Sequence, residues 1–319
     1  MKLCIILGAG ASKPYGFPLG SDLKQRVIQY CLSRPYDCAL EPHRPRTWEF
    51  LEKAARELDE SPAQSIDEAL QRFKDPLGDG YEIGEHARMA VTAVLFSNER
   101  KQPLDQGWYH EHLSRHINNR ITYADPTGPL NIVTFNYDRT LEYYVPPILN
   151  RTVEQGVQIF KRGVKVQHVY GSLNPIPGFG TPGGAREIEY GKHLGNDAWT
   201  ARETLKFIHD DPDSTTKSCR STVQSADTLL ILGFGFDHTN ITRLGLHEPN
   251  DQLIISSGYK LDRDTKQRVR ATCLSKRIHF GKDPADISTF LTDTKILEYP
   301  LRTKDDLWNQ LGSPRWVSS

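Results

Sequence analysis

The chain has 319 residues, with 40 Lys and Arg against 40 Asp and Glu, so its formal net charge at pH 7 is zero. That balance excludes a broad basic footprint for nucleic acid, and no apolar run approaches the roughly 18 residues of a membrane helix. A hydrophobic share of 37% and a charged share of 25% place it among globular proteins, with room for one large α/β domain or two smaller units. The five cysteines, Cys4, Cys31, Cys38, Cys219 and Cys273, form no C-x-x-C pair. A scattered, odd-numbered set of this kind reads as reduced thiols, a cytoplasmic location and no zinc framework.

The chain opens on a short branched apolar run, Leu3 to Leu7, that breaks into Gly8-Ala9-Gly10-Ala11-Ser12. The run is too short for a buried helix and reads as a buried strand. Gly8 allows a tight turn and Gly10 allows backbone to approach a pyrophosphate; the third glycine of a full dinucleotide fingerprint is replaced by Lys13. Residues 15–20 read as a Gly/Pro loop. Leu23, Val27 and Cys31 then recur at four-residue spacing behind Ser21, placed to cap a helix. Further helices are expected around Trp48, Leu51, Ala55 and Leu58, after the capping box Ser65-Ile66-Asp67-Glu68, over 85–96 and over 108–117. Residues 21–127 are read as an all-helical insertion after the first strand of one domain spanning 1–319.

Strand patterns return at 130–135, 164–170, 228–232, 253–256 and 277–280, with helices expected over 197–209, 216–224 and 264–275 and a Gly/Pro loop over 174–184. After Phe280 the pattern reads as a closing helix-and-strand segment. Strands separated by helices predict an α/β fold, a Rossmann-like doubly wound parallel sheet. Ligands of such a sheet bind outside the carboxyl ends of the strands. Chemistry-bearing residues fall at four of those ends: Gly8, Gly10 and Ser12; Asn136 and Asp138; His168 and Ser172; Gly233, Gly235 and Asp237. Each has a plain structural alternative. Asn136 could cap the following helix, His168 alternates with Val166 and Tyr170 as a core histidine does, and the glycines could mark turns only.

Taken in order, Gly8-Ala9-Gly10-Ala11-Ser12, Thr134-Phe135-Asn136-Tyr137-Asp138, His168 with Gly171-Ser172, and Gly233-Phe234-Gly235-Phe236-Asp237 resemble the sirtuin-like fold. They are more similar to its bacterial antiphage NAD-hydrolase branch than to its protein deacylases. The deacylases continue the first turn as Gly-Ile-Pro-Asp-Phe-Arg, where this chain has Gly16-Phe17-Pro18-Leu19-Gly20-Ser21, and they carry a four-cysteine zinc module, where residues 173–227 hold only Cys219. Both departures argue against deacylation.

The resemblance implies an NAD glycohydrolase that releases nicotinamide and ADP-ribose, an NAD-depleting effector of antiviral defence by abortive infection. NAD is then the substrate and no metal is needed. Asn136 would hold the ribose hydroxyls or the attacking water, and His168, neutral near pH 7, would be the general base. Asp138 would accept the carboxamide N–H groups, while Gly8, Ala9, Gly10 and Ser12 would cradle the pyrophosphate and Gly233, Gly235 and Asp237 flank the adenosine ribose. Regulation is expected from outside the chain, through a homo-oligomer or a separate activator or ATPase partner, with the insertion over 21–127 as the contact surface; its aromatics Trp48, Phe50, Trp108 and Tyr109 are residues more often found in a core than at an interface. The alternatives are a non-catalytic NAD- or nucleotide-binding sensor or scaffold, a protein deacylase, and a generic dehydrogenase.

Overall fold

Six short strands rich in branched apolar residues pair in parallel: β1 Leu3–Leu7, β2 Leu130–Thr134, β3 Val164–His168, β4 Thr228–Leu232, β5 Leu253–Ser256 and β6 Arg277–Phe280. The computed structural model describes residues 1–33, 46–63, 65–73, 79–99, 107–180, 185–193, 196–206, 214–273, 277–282, 285–298, 300 and 303–311. Cys38 lies outside these residues.

The strand order is β3-β2-β1-β4-β5-β6. Strands are added outward from β1 first in one direction and then in the other. Because parallel crossovers keep one hand, this reversal places helices on both faces of the sheet. The sheet is thus doubly wound, as the alternation of strand and helix in the sequence requires. β1 and β4, at its centre, are buried on every residue, since helices cover both of their faces. At the carboxyl ends, Leu7 stands beside Thr134 of β2 and Leu232 of β4, and Thr134 beside His168 of β3. This register brings the four motif-bearing ends to one edge.

Between β1 and β2 the described elements are helical. Gly20–Leu32, Thr47–Glu60 and Asp79–Ser97 pack on one another through Leu23, Val27, Leu51, Ala55, Leu58 and Ala90. The first begins one residue earlier than its sequence pattern indicates, with Leu19 at the cap and Ser21 inside the helix. Ser65 does cap, accepting the Glu68 amide at 3.2 Å. The 108–117 pattern forms a π-helical turn, Tyr109–Ser114, continued by the helix Arg115–Thr122.

Trp108 and Tyr109 are each 1% exposed and Phe50 is buried, so these three belong to the core, while Trp48 is half-buried against it. Their work is internal. Trp108 Nε1 donates to the Ala11 carbonyl at 3.0 Å, and the Tyr15 ring stacks on Tyr109 with centroids 4.5 Å apart. Together they tie the insertion to the turn after β1.

Two further corrections concern the second half. The 197–209 pattern yields the helix Asp197–Ala201 and a 3-10 turn, Arg202–Thr204, which stops where Leu205 bridges Gly171. The described residues after β6 form two helices, Ile287–Thr294 and Lys304–Leu311, and no strand.

Candidate functional site

The turn after β1 and the turn after β4 interlock through their backbones. Gly8 N–H donates to the Leu232 carbonyl at 3.0 Å and Gly10 N–H to the Gly233 carbonyl at 2.9 Å. A Cβ on Gly10 would sit 2.8 Å from Gly233 Cα, and one on Gly233, whose φ is +62°, would sit 2.2 Å from the Ala11 nitrogen. Gly10 is therefore glycine because another main chain passes against it. This corrects the expectation that its missing side chain makes room for a pyrophosphate. It also removes the Gly10 N–H from any phosphate cradle.

A cavity of about 840 Å³ opens at this junction, where the strand order reverses. Gly8, Ala9 and Gly10 bound one side and Gly233, Gly235 and Asp237 another. Lys13, Lys260 and Arg268 bring cations to it, and Phe135, Tyr170 and Phe234 an aromatic wall. Phe135 and Phe234 stack with centroids 5.0 Å apart, and Phe135 meets Tyr170 at 5.6 Å. The Tyr170 hydroxyl is hydrogen-bonded to Asn240 Oδ1. Asp237 also caps the helix His238–Leu244, accepting the Thr239 amide at 2.9 Å. Sequence reasoning missed Tyr170, Asn240, Lys260 and Arg268. Tyr170 had a visible signal, since it stands two residues after His168 and precedes Gly171.

Ser12, Asn136, Asp138 and His168 form a second group behind that aromatic wall; none of the four lines the cavity. Asn136 does not cap a helix. Its Nδ2 donates to Ser12 Oγ at 2.9 Å, and its Oδ1 is buried with no hydrogen-bond partner. The Ser12 hydroxyl also bonds the Asp138 carboxyl. Asp138 Oδ1 accepts from the Thr140 amide at 3.1 Å and from the Thr140 hydroxyl. Burial pushes the Asp138 pKa up against these bonds, which lower it.

His168 is held from both sides. Nδ1 is 2.9 Å from the Asn136 carbonyl and Nε2 is 2.9 Å from Glu142 Oε1. Both partners are acceptors, so both ring nitrogens must carry protons to satisfy them. Burial opposes the charge, yet Glu142 and the Asn136 carbonyl outweigh it and raise the pKa above the ordinary 6.5. This direction runs against the expectation of an imidazole that is neutral near pH 7. Glu142 carries no signal in the sequence that would single it out.

Arg139, next to Asp138 and at the cap of the helix Thr140–Tyr144, joins this cluster to the insertion. Its guanidinium grips Glu99 at 2.8 and 2.6 Å and donates to the Ile188 carbonyl at 2.6 Å, with both charged side chains 2% exposed or less. Among the described residues there is no group of three or more His, Cys, Asp or Glu side chains arranged to hold a metal ion.

No protein-family model matches the chain, and no curated protein matches it. Among solved structures it is similar to a Sir2 in complex with the inhibitor EX-527, 2'-O-acetyl-ADP-ribose and a deacetylated p53 peptide, and to Sir2Tm bound to a propionylated peptide. Each is 12% identical at a TM-score of 0.36; 93% of this chain is covered, against 95% and 94% of those chains. Likeness at that level gives no residue a role, and the roles below are argued from this chain's own geometry.

Proposed function

We propose that the chain binds NAD in the crevice between β1 and β4 and hydrolyses the nicotinamide–ribose bond, releasing nicotinamide and ADP-ribose. The observation that supports it best is the 840 Å³ cavity at the reversal point of a 3-2-1-4-5-6 parallel sheet, the place where such sheets take dinucleotides. Lys13, Lys260 and Arg268 suit a pyrophosphate, and the aromatic wall suits a planar base. Asp237 and Gly235 line the same cavity and are the residues we assign to the adenosine ribose.

Cleavage at the anomeric carbon passes through an oxocarbenium-like state, and the departing pyridinium is already cationic. Placement and polar contacts therefore matter more than a strong acid. Asn136, with an unpaired Oδ1, and His168 with Asp138 are the groups we assign to that step. Asn136 follows the cavity-lining Phe135 and His168 precedes the cavity-lining Tyr170 by two residues, which is how we connect this group to the crevice. Closed geometry without substrate does not remove a catalytic candidate, because such contacts tighten on binding.

Asn136→Ala should lower nicotinamide release by about 10²–10⁴ while the protein still binds NAD. Chromatography of NAD incubated with each protein, beside a direct binding measurement, checks both. The position of Asn136 and His168 outside the crevice favours a second reading, a nucleotide-binding module without hydrolysis. Tight NAD binding with no nicotinamide released by the wild type would establish it. Deacylation is disfavoured by the single cysteine, Cys219, within 173–227. The motif resemblance extends the proposal to an antiphage effector acting as a homo-oligomer or with an activating partner. Phage challenge of cells carrying the wild type or Asn136→Ala tests that extension.

A further inference from the structure

β3 is an edge strand, with β2 as its one neighbour in the sheet. The Val169 amide donates to the Thr134 carbonyl at 2.9 Å, which fixes how the main-chain groups of β3 point. In a parallel ladder each residue turns its N–H and C=O to one side, and successive residues alternate. Lys165 and Gln167 therefore direct theirs at β2, while Val164, Val166 and His168 direct theirs away from it. On that outer side the Val164 amide meets the Phe160 carbonyl, and the His168 carbonyl accepts from the Gly171 amide at 3.3 Å. The Val164 carbonyl, both main-chain groups of Val166 and the His168 amide have no backbone partner among the described residues.

A cavity of about 360 Å³ runs along this open edge, with Val164, Lys165 and Val166 in succession in its lining. Neighbouring side chains of a strand stand on opposite faces, so a space that touches all three borders the edge itself. Phe160 from the helix Val153–Gly163, and Ile176 and Phe179 from the loop after β3, make the groove apolar. Phe160 and Phe179 meet edge to face, 5.7 Å between centroids.

Unpaired main-chain groups beside an apolar groove suit an extended peptide, which pairs its backbone with the edge and lays alternate side chains in the groove. The charges select among such peptides. Arg139 is taken by Glu99 and His168 by Glu142, which leaves Lys161 and Lys165 as the remaining cations of the lining. Lys161 donates to the Gly178 carbonyl at 3.3 Å, and Lys165 is exposed. On the loop, Glu187 accepts from the Gly178 and Gly180 amides and is not part of the lining. A basic segment is repelled here, and a second copy of this chain would bring the same two lysines to the groove.

We propose that an acidic, extended segment of a partner protein adds to β3 along this edge, with apolar side chains against Phe160 and Phe179 and carboxylates toward Lys165. The pairing does not require the chain to cleave NAD, and its test uses the full chain without NAD. The probes are fluorescently labelled five-residue peptides titrated at low salt. One alternates Glu with Val, one alternates Lys with Val, and two are Glu-Val peptides N-methylated either at every Glu or at every Val.

Saturable binding of the Glu-Val peptide is expected, roughly tenfold tighter than that of the Lys-Val peptide. Lys165→Glu should remove that preference. One of the two N-methylated peptides should lose binding, because it can no longer donate to the edge. At saturation, hydrogen exchange of the Val166 and His168 amides, followed by NMR, should slow about tenfold or more. Absence of Glu-Val binding at millimolar peptide would overturn the proposal, and so would binding that leaves those two exchange rates unchanged. Undiminished binding of both N-methylated peptides, or preference for Lys-Val, would overturn it equally. A wild type that releases no nicotinamide would sink the hydrolase reading and leave each of these readouts in place.

Discussion

The β1/β4 crevice and the cluster at the ends of β2 and β3 share one edge of the sheet and are built by opposite means. The crevice is made of main chain: Gly8, Gly10 and Gly233 touch without side chains, and backbone hydrogen bonds hold them. The cluster is made of side chains: Ser12, Asn136, Asp138, His168 and Glu142 are linked in a largely buried network that leaves Asn136 Oδ1 and Glu142 Oε2 without partners. The first kind of site tolerates no added atom at its contact points. The second can be altered one group at a time, and its charges can be moved by pH.

The largest expected effect is at the backbone contact. Gly233→Ala combines a positive φ with a Cβ 2.2 Å from a neighbouring nitrogen, and should cost roughly 4 kcal/mol or more, enough to threaten folding. Two positions on, Gly235 has nothing within 4 Å and no positive φ. Gly235→Ala should stay within about 0.5 kcal/mol of the wild type. Denaturant unfolding of the two variants measures the contrast directly. Equal midpoints would mean the crevice is not held by main-chain contact.

Next is the ion pair that ties the cluster to the insertion. Arg139→Met strands the Glu99 carboxylate, which is fully buried, and should cost about 3–5 kcal/mol. Glu99→Leu added to it should recover much of that loss, since replacing a buried pair is far milder than breaking one. A double-mutant cycle reads the difference, and strict additivity would show that the two side chains do not act together.

The two histidine environments should respond to pH with opposite sign. His116, on the helix Arg115–Thr122, is pushed down by burial to about 4 from 6.5. The unfolded chain then binds its proton more readily, so stability should fall as pH drops from about 6.5 towards 4, by up to about 3 kcal/mol. His168 is raised above 6.5. Its contribution is complete below 6.5 and is lost as pH rises through the folded value. Unfolding free energies across this range, for the wild type and His168→Gln, separate the two. Removing His168 should deepen the loss on the acid side relative to the alkaline side.

The sheet was legible because its signals are local. The central strands β1 and β4 are short branched apolar runs, and the alternation with helices dictates parallel pairing. The expected ends ran long, 130–135 against Leu130–Thr134 and 164–170 against Val164–His168, because Phe135 and Tyr170 extend the apolar pattern while their rings turn to the crevice. Which glycine meets a ligand and which meets another main chain depends on β4 passing beside β1, a contact 223 residues apart in sequence between Gly10 and Gly233. The Glu142 partner of His168 comes from a five-residue helix with no periodic pattern, and the role of Trp108 and Tyr109 in bracing the first turn likewise rests on contacts made only in the fold.

The smallest expected effect falls where the two sites touch. Ser12 follows the backbone turn of the crevice, yet its hydroxyl belongs to the side-chain cluster, accepting from Asn136 Nδ2 at 2.9 Å. Ser12→Ala removes one such bond and should cost about 0.5–1.5 kcal/mol in stability. The turn itself should hold, because its anchors are the Gly8 and Gly10 amides and the Trp108 bond to the Ala11 carbonyl. If the crevice and the cluster are separable, NAD affinity should stay close to the wild type while nicotinamide release falls less than in Asn136→Ala. A Ser12→Ala protein that loses NAD affinity as well would show that the cluster shapes the crevice, and the division drawn between main-chain and side-chain construction would fail at this residue.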